Sequence, residues 1–124
     1  MTEQDLHAMV CQYIRTQYTN VIFNSDMAGV KLTIGQAKRS AKLRSSKGFP
    51  DIVIYEPRGG FHGLFLELKR DGVRIYNRYG EPATEHIKEQ HKILCKLDSL
   101  NYAAYFACGF DQAKQIIDEY LSEK

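Results

Sequence analysis

The sequence predicts an α/β fold: a mixed β-sheet flanked by helices, in the order αβββαβα. Three observations carry that expectation. Two short apolar runs, residues 51–55 and 64–69, flank residues 56–63, in which Glu56-Pro57-Arg58-Gly59-Gly60 is turn chemistry, so the runs form a hairpin. Residues 3–17 and 84–97 place apolar side chains at three- and four-residue steps, the period of a half-buried helix. A last apolar strand, 102–108, is broken by Gly109 and followed by another helical period. A strand that returns after a helix can pair in parallel with the hairpin, which makes the sheet mixed.

Each element has its own signal. In the first helix Glu3, Leu6, Val10, Tyr13 and Gln17 share a face, and Thr2 with Asp5 suits a capping box. Residues 21–23 predict a short strand antiparallel to the hairpin, followed by a loop over 24–29 in which Asp26 is either a spare metal ligand or, as loop aspartates usually are, a turn residue. Residues 35–47 carry Lys38, Arg39, Lys42, Arg44 and Lys47 without one acid. On a helix, Lys38 and Lys42 would align with Arg39 beside them. A cationic block leading into the Asp51 strand suits a phosphate backbone; the plainer alternative is a solvated face. Residues 71–83 interleave Arg74 and Arg78 with Tyr76 and Tyr79. That mixture can grip a nucleic-acid backbone and stack on bases, or it can be a surface excursion whose tyrosines pack on the body. Thr84 predicts the cap of the next helix, where Ile87, Gln90, Leu94 and Leu97 share a face. A buried amide needs partners, so Gln90 is either a structural hydrogen-bonder or a group reaching the hairpin. His86 and His91 are not spaced as a helical metal pair. Asp111 predicts the cap of the final helix, with Ala113, Ile116, Ile117, Tyr120 and Leu121 inward.

Composition narrows the class. The 124 residues suit one domain, 1–124, and a 44% apolar share allows a modest core. No apolar run approaches the length of a membrane span, and residues 1–5 lack the basic and apolar regions of a signal peptide, so a cytoplasmic protein is expected. The three cysteines are widely spaced and form no Cys-x-x-Cys; reduced, buried thiols are expected and a zinc site is not. The net charge of +2 says little about partners.

The chemistry concentrates in the hairpin. Strand side chains alternate, so Phe65, Glu67 and Lys69 share one face and Leu64, Leu66 and Leu68 the other. If the hairpin folds about Gly59, Asp51 lies opposite Glu67, with Cβ atoms about 5 Å apart. Two carboxylates that close repel unless a cation sits between them. A divalent metal held by Asp51 and Glu67, with Lys69 beside it, is the sharp reading; an exposed Glu67–Lys69 pair on an edge strand is the plain one. A slip of one residue would send Asp51 to the wrong face. Glu3 is either a first-turn acid complementing its helix dipole or a third carboxylate over the hairpin. A metal there would polarise an anionic phosphodiester and lower the pKa of a bound water, and hard oxygen ligands suit Mg²⁺.

The set Glu3, Gly48-Phe49-Pro50-Asp51, Glu67-Leu68-Lys69 and Gln90 resembles the PD-(D/E)XK nuclease superfamily. Within it the chain looks most like a stand-alone VRR-NUC domain, the virus-type replication-repair nuclease, over nearly its whole length. The resemblance implies a restriction-endonuclease-like core and a metal-dependent endonuclease acting on DNA. It implies that Asp51 and Glu67 bind Mg²⁺ or Mn²⁺, with the Leu68 carbonyl as a further ligand. Glu3 matches the helical acid that acts through water, Lys69 the lysine that orients or activates the attacking water, and Gln90 the glutamine of the next helix. Small members are phage-encoded and similar to Holliday-junction resolvases, which implies branched DNA, a homodimer and a host-cell cytoplasm. Nucleic-acid contacts are expected from Lys38, Arg39, Lys42, Arg44, Lys47, Arg70, Arg74 and Arg78. The connection over 71–84 is longer than in the shortest members. The rivals are a nucleic-acid-binding module with a silent centre and a nuclease for linear DNA or RNA.

Overall fold

Caps and turns divide the chain in the computed structural model. Residues 1–25, 33–43, 45 and 47–124 are described; Asp26 and Arg44, singled out above, lie outside them. Helix α1 (Glu3–Gln17) starts on the expected box: the Asp5 amide donates to Thr2 Oγ1 at 3.0 Å and the Thr2 amide to Asp5 Oδ2 at 2.9 Å. Its buried row is Leu6, Val10 and Ile14, a one-turn step rather than the expected Tyr13 and Gln17. Tyr13 turns aside to donate to Asp118 at 2.6 Å, and Gln17 is exposed.

Strand β1 (Phe23–Ser25) begins two residues later than the apolar run suggests. The Val21 amide is tied back to the Tyr18 carbonyl in the turn that ends α1, so the ladder cannot start there. Next comes a helix missing from the expected order, α2 (Ile34–Lys42). Thr33 and Gln36 cap it reciprocally, at 3.0 and 3.1 Å. Strands β2 (Ile52–Ile54) and β3 (Leu64–Lys69), helix α3 (Glu85–Ser99), strand β4 (Ala103–Cys108) and helix α4 (Phe110–Ser122) complete the order αβαββαβα. Thr84 caps α3 as expected, accepting the Ile87 amide at 3.1 Å. Asp111 does not cap α4: the cap is Gly109, and the Gln112 side chain accepts the Cys108 amide in place of a capping oxygen.

The sheet runs β1-β2-β3-β4, antiparallel at the first two pairings and parallel at the last. The hairpin register decides where the acids meet. Ile52 faces Leu66 and Ile54 faces Leu64, so one step further Asp51 stands opposite Glu67, as expected. The turn is centred half a residue later. Gly59 and Gly60 both have positive φ (57° and 86°) inside the Arg58–Phe61 bridge, which is the backbone of a two-residue primed turn. Counted from that turn alone, Asp51 would face Leu68. One extra residue between Ile54 and Arg58 acts as a bulge and restores the pairing.

Helices α1 and α4 cover one face of the sheet. Leu6, Val10 and Ile14 meet Ile52, Ile54, Leu64, Leu66, Leu68, Ile117 and Leu121 in one core. Helix α3 packs on β4, and its Leu94 borders the same crevice as Ala104 and Phe106. Strand β3 is therefore buried on both faces along all six residues. Cys11 and Cys108 are half-buried free thiols; Cys95, against expectation, is exposed, at the mouth of the crevice between α3 and β4. Among the described residues no helix is long and apolar enough to cross a membrane.

Candidate active site

Among the described residues the buried polar and charged side chains are Asp51, Glu67, Lys69 and Gln90, at 2%, 3%, 7% and 5% exposure. All four stand out in the sequence as polar residues in apolar runs. The exposed-pair alternative for Glu67 and Lys69 fails, because β3 is an interior strand.

Asp51 Oδ2 accepts the Leu68 amide at 2.8 Å and lies 3.4 Å from His7 Nε2. Burial alone would raise the Asp51 pKa. Hydrogen bonds from His7 and Glu67, the charge of His7 and the Leu68 amide outweigh it and hold Asp51 below the ordinary value. Glu67 goes the other way. Burial, then its hydrogen bond to Asp51 and the Asp51 charge, push it up to about 10; Lys69 opposes this and Glu3 adds to it. Two carboxyls this close hold one proton between them, which shifts Glu67 up and Asp51 down. Glu67 Oε1 and Gln90 Oε1 are buried with no hydrogen-bond partner. The Gln90 amide nitrogen is 3.2 Å from His86 Nε2.

An unpartnered carboxylate oxygen beside a second carboxylate fits a hard divalent cation. Among the described residues no three His, Cys, Asp or Glu side chains form a metal cage. Mg²⁺ does not require one, since it is held by one or two carboxylates and keeps several waters. Asp51 and Glu67 are such a donor pair. Glu3 is exposed at the start of α1, near enough for its charge to act on Glu67. His7, which no sequence pattern singles out, is the addition. It lies four residues after Glu3, hence on the same helix face; a helix that sets Glu3 over the hairpin sets His7 there as well.

The backbone before Asp51 is also constrained. Gly48 has φ +79°, and a Cβ there would sit 3.0 Å from the Gln90 nitrogen and the Glu89 carbonyl carbon. The loop thus presses on α3 backbone beside Gln90. Gly48→Ala is expected to destabilise the protein by about 1–3 kcal/mol, read by urea unfolding; unchanged stability would contradict the close approach.

The cations are placed as follows. Lys38, Arg39 and Lys42 are exposed on α2, and Lys47 is exposed in the loop before Asp51. Arg70 is exposed directly after β3, and Arg74 and Arg78 are exposed on the 71–84 excursion. There Arg78 donates to the Tyr79 hydroxyl at 2.8 Å and stacks on its ring. Tyr76 meets His91 of α3 edge-on at 6.0 Å, so one tyrosine packs on the body while the other faces solvent.

The sequence matches no protein-family model and no curated protein. Among solved structures, one described as a VRR_NUC domain protein is similar, with a TM-score of 0.68 at 25% identity, over 99% of this chain and 90% of that one. A likeness that takes in 99% of the chain gives this protein the restriction-endonuclease-like α/β fold of a VRR-NUC domain, a nuclease-type unit.

Proposed function

We propose that this protein is a divalent-metal-dependent endonuclease that hydrolyses DNA phosphodiester bonds, selects branched DNA and works as a homodimer. One observation carries the reading: two opposed, buried carboxylates, one with an unpartnered oxygen, beside a buried lysine on the same strand face. Asp51 and Glu67 hold Mg²⁺ or Mn²⁺, with the Leu68 carbonyl as a further donor. When bound, the ion supplies charge neutralisation of the phosphodiester and a nucleophilic water at neutral pH. Lys69 places its ammonium where negative charge develops. Gln90 offers Oε1 as acceptor for the attacking water, and Glu3 acts through water from the mouth of the site. Lys38, Arg39, Lys42, Arg44, Lys47, Arg70, Arg74 and Arg78 hold the phosphate backbone.

The test is a panel of labelled four-way-junction, flap, nicked and linear DNAs and an RNA, incubated with Mg²⁺, Mn²⁺ or EDTA. Cleavage is expected in both metals and not in EDTA, fastest on a branched substrate. No cleavage of any substrate would overturn the reading, and a strict monomer at micromolar concentration would remove the homodimer.

The cationic arm has a separate signature. Every described side chain of α2 is exposed, so replacing Lys38, Arg39 and Lys42 together by alanine leaves the core intact. The triple variant is expected to bind DNA more weakly. Its log affinity should fall less steeply with log salt, by roughly 0.9 of slope per lost duplex phosphate contact. Fluorescence anisotropy across salt concentrations reads this; an unchanged slope takes α2 out of the interface.

A further inference from the structure

We infer that His7 is a positioning residue that fixes which oxygen of Asp51 faces the cation, an inference that rests on the metal-site reading above. Two donors converge on a single oxygen. The Leu68 amide reaches Asp51 Oδ2 at 2.8 Å, and His7 Nε2 lies 3.4 Å from the same atom. With Oδ2 held by both, Oδ1 is the oxygen left for Glu67, and for a cation that displaces the proton between the two acids. The ring is anchored at its other end as well, since His7 Nδ1 is 3.3 Å from Ser25 Oγ on β1. The Ser25 hydroxyl can donate or accept, so this contact fixes the plane of the ring, while the acceptor-only carboxylate of Asp51 calls for N–H at Nε2. The imidazole is 12% exposed and Asp51 is buried, so the contact between them lies away from open solvent. Strand β1 is a three-residue edge strand with little core of its own. It carries the anchor of the histidine that aims the acid.

The closing experiment separates donor from filler. His7→Leu keeps an apolar side chain of moderate size and removes both ring nitrogens; His7→Gln restores an N–H near the position of Nε2. Mn²⁺ binding is measured by calorimetry, with circular dichroism to verify folding. His7→Leu is expected to bind Mn²⁺ about 10- to 100-fold more weakly, the usual loss when a ligand's hydrogen-bond partner is removed. His7→Gln is expected to recover most of that affinity. Unchanged binding in His7→Leu, or no recovery in a folded His7→Gln, would overturn the inference. Should His7→Leu fail to fold, Ser25→Ala decides: it leaves the ring in place, and it is expected to weaken binding by a smaller factor, with no loss counting against the role. If the unmodified chain binds no Mn²⁺, the site reading fails and takes His7 with it; if it binds and the variants match it, His7 alone is removed.

Discussion

Asp51→Ala and Glu67→Ala are each expected to reduce DNA cleavage to the level of a protein-free control. Each change removes one of the two buried carboxylates that face each other across the hairpin. A metal's share of transition-state stabilisation is several kcal/mol, and each 1.36 kcal/mol is about tenfold in rate. The expected loss is therefore roughly a thousandfold or more. On the proposed function the two side chains form one donor set, so the double variant should be no worse than either single one. Single-turnover cleavage and Mn²⁺ calorimetry on folded variants check this together. Cleavage by a purified Glu67→Ala that still follows added Mn²⁺ would take Glu67 out of the site.

The metal-free protein is expected to lose stability as pH rises. Glu67 has an ordinary value of 4.5 and is pushed up to about 10 by burial and by Asp51. Between those values the folded chain keeps a proton that the unfolded chain has released, so raising the pH favours unfolding. That contribution is fully present below 4.5 and is lost as pH climbs through about 10. Asp51 has the opposite sign. It is held below its ordinary 3.8, so its contribution is present above that value and is lost as acid takes the pH through the lowered folded value. Melts in EDTA should thus give a higher Tm near about pH 5 than near about pH 9. Glu67→Gln, a neutral mimic of the protonated acid, should flatten the fall. Mn²⁺ should raise Tm more at the alkaline end, because binding then displaces less proton. A wild-type Tm that falls no more than that of Glu67→Gln would contradict the shared proton.

The site is legible in the sequence because its residues break a pattern. Glu67 and Lys69 interrupt an apolar run, and Gln90 interrupts an apolar helix stripe; in a small core such interruptions are costly unless partnered. The register agrees with expectation for a reason the residues do not announce. A hairpin folded about Gly59 pairs Asp51 with Glu67, yet the turn sits on Gly59-Gly60 and a bulge makes up the difference. Helix α2 escapes the strand-and-helix count because periodicity detects buried stripes, and its described side chains are all exposed; only the Thr33–Gln36 cap marks it. His7 escapes because a lone histidine on a helix has no sequence partner. Its partners, Asp51 and Ser25, are remote in the chain.

Strand β3 lies in the interior on both of its faces, yet two of its six residues are ionisable. Exchanging a buried set of paired ionic groups for well-packed apolar ones of similar volume is often neutral or stabilising, by about 1–4 kcal/mol. Glu67→Leu made together with Lys69→Met would then leave the fold as stable or more so, whereas either change alone would strand a buried charge. Any selection that rewards durability alone, in a test tube or in a lineage, pushes this fold toward an inert lookalike. On the proposed function, the two ionisable residues persist only where the reaction itself is under scrutiny.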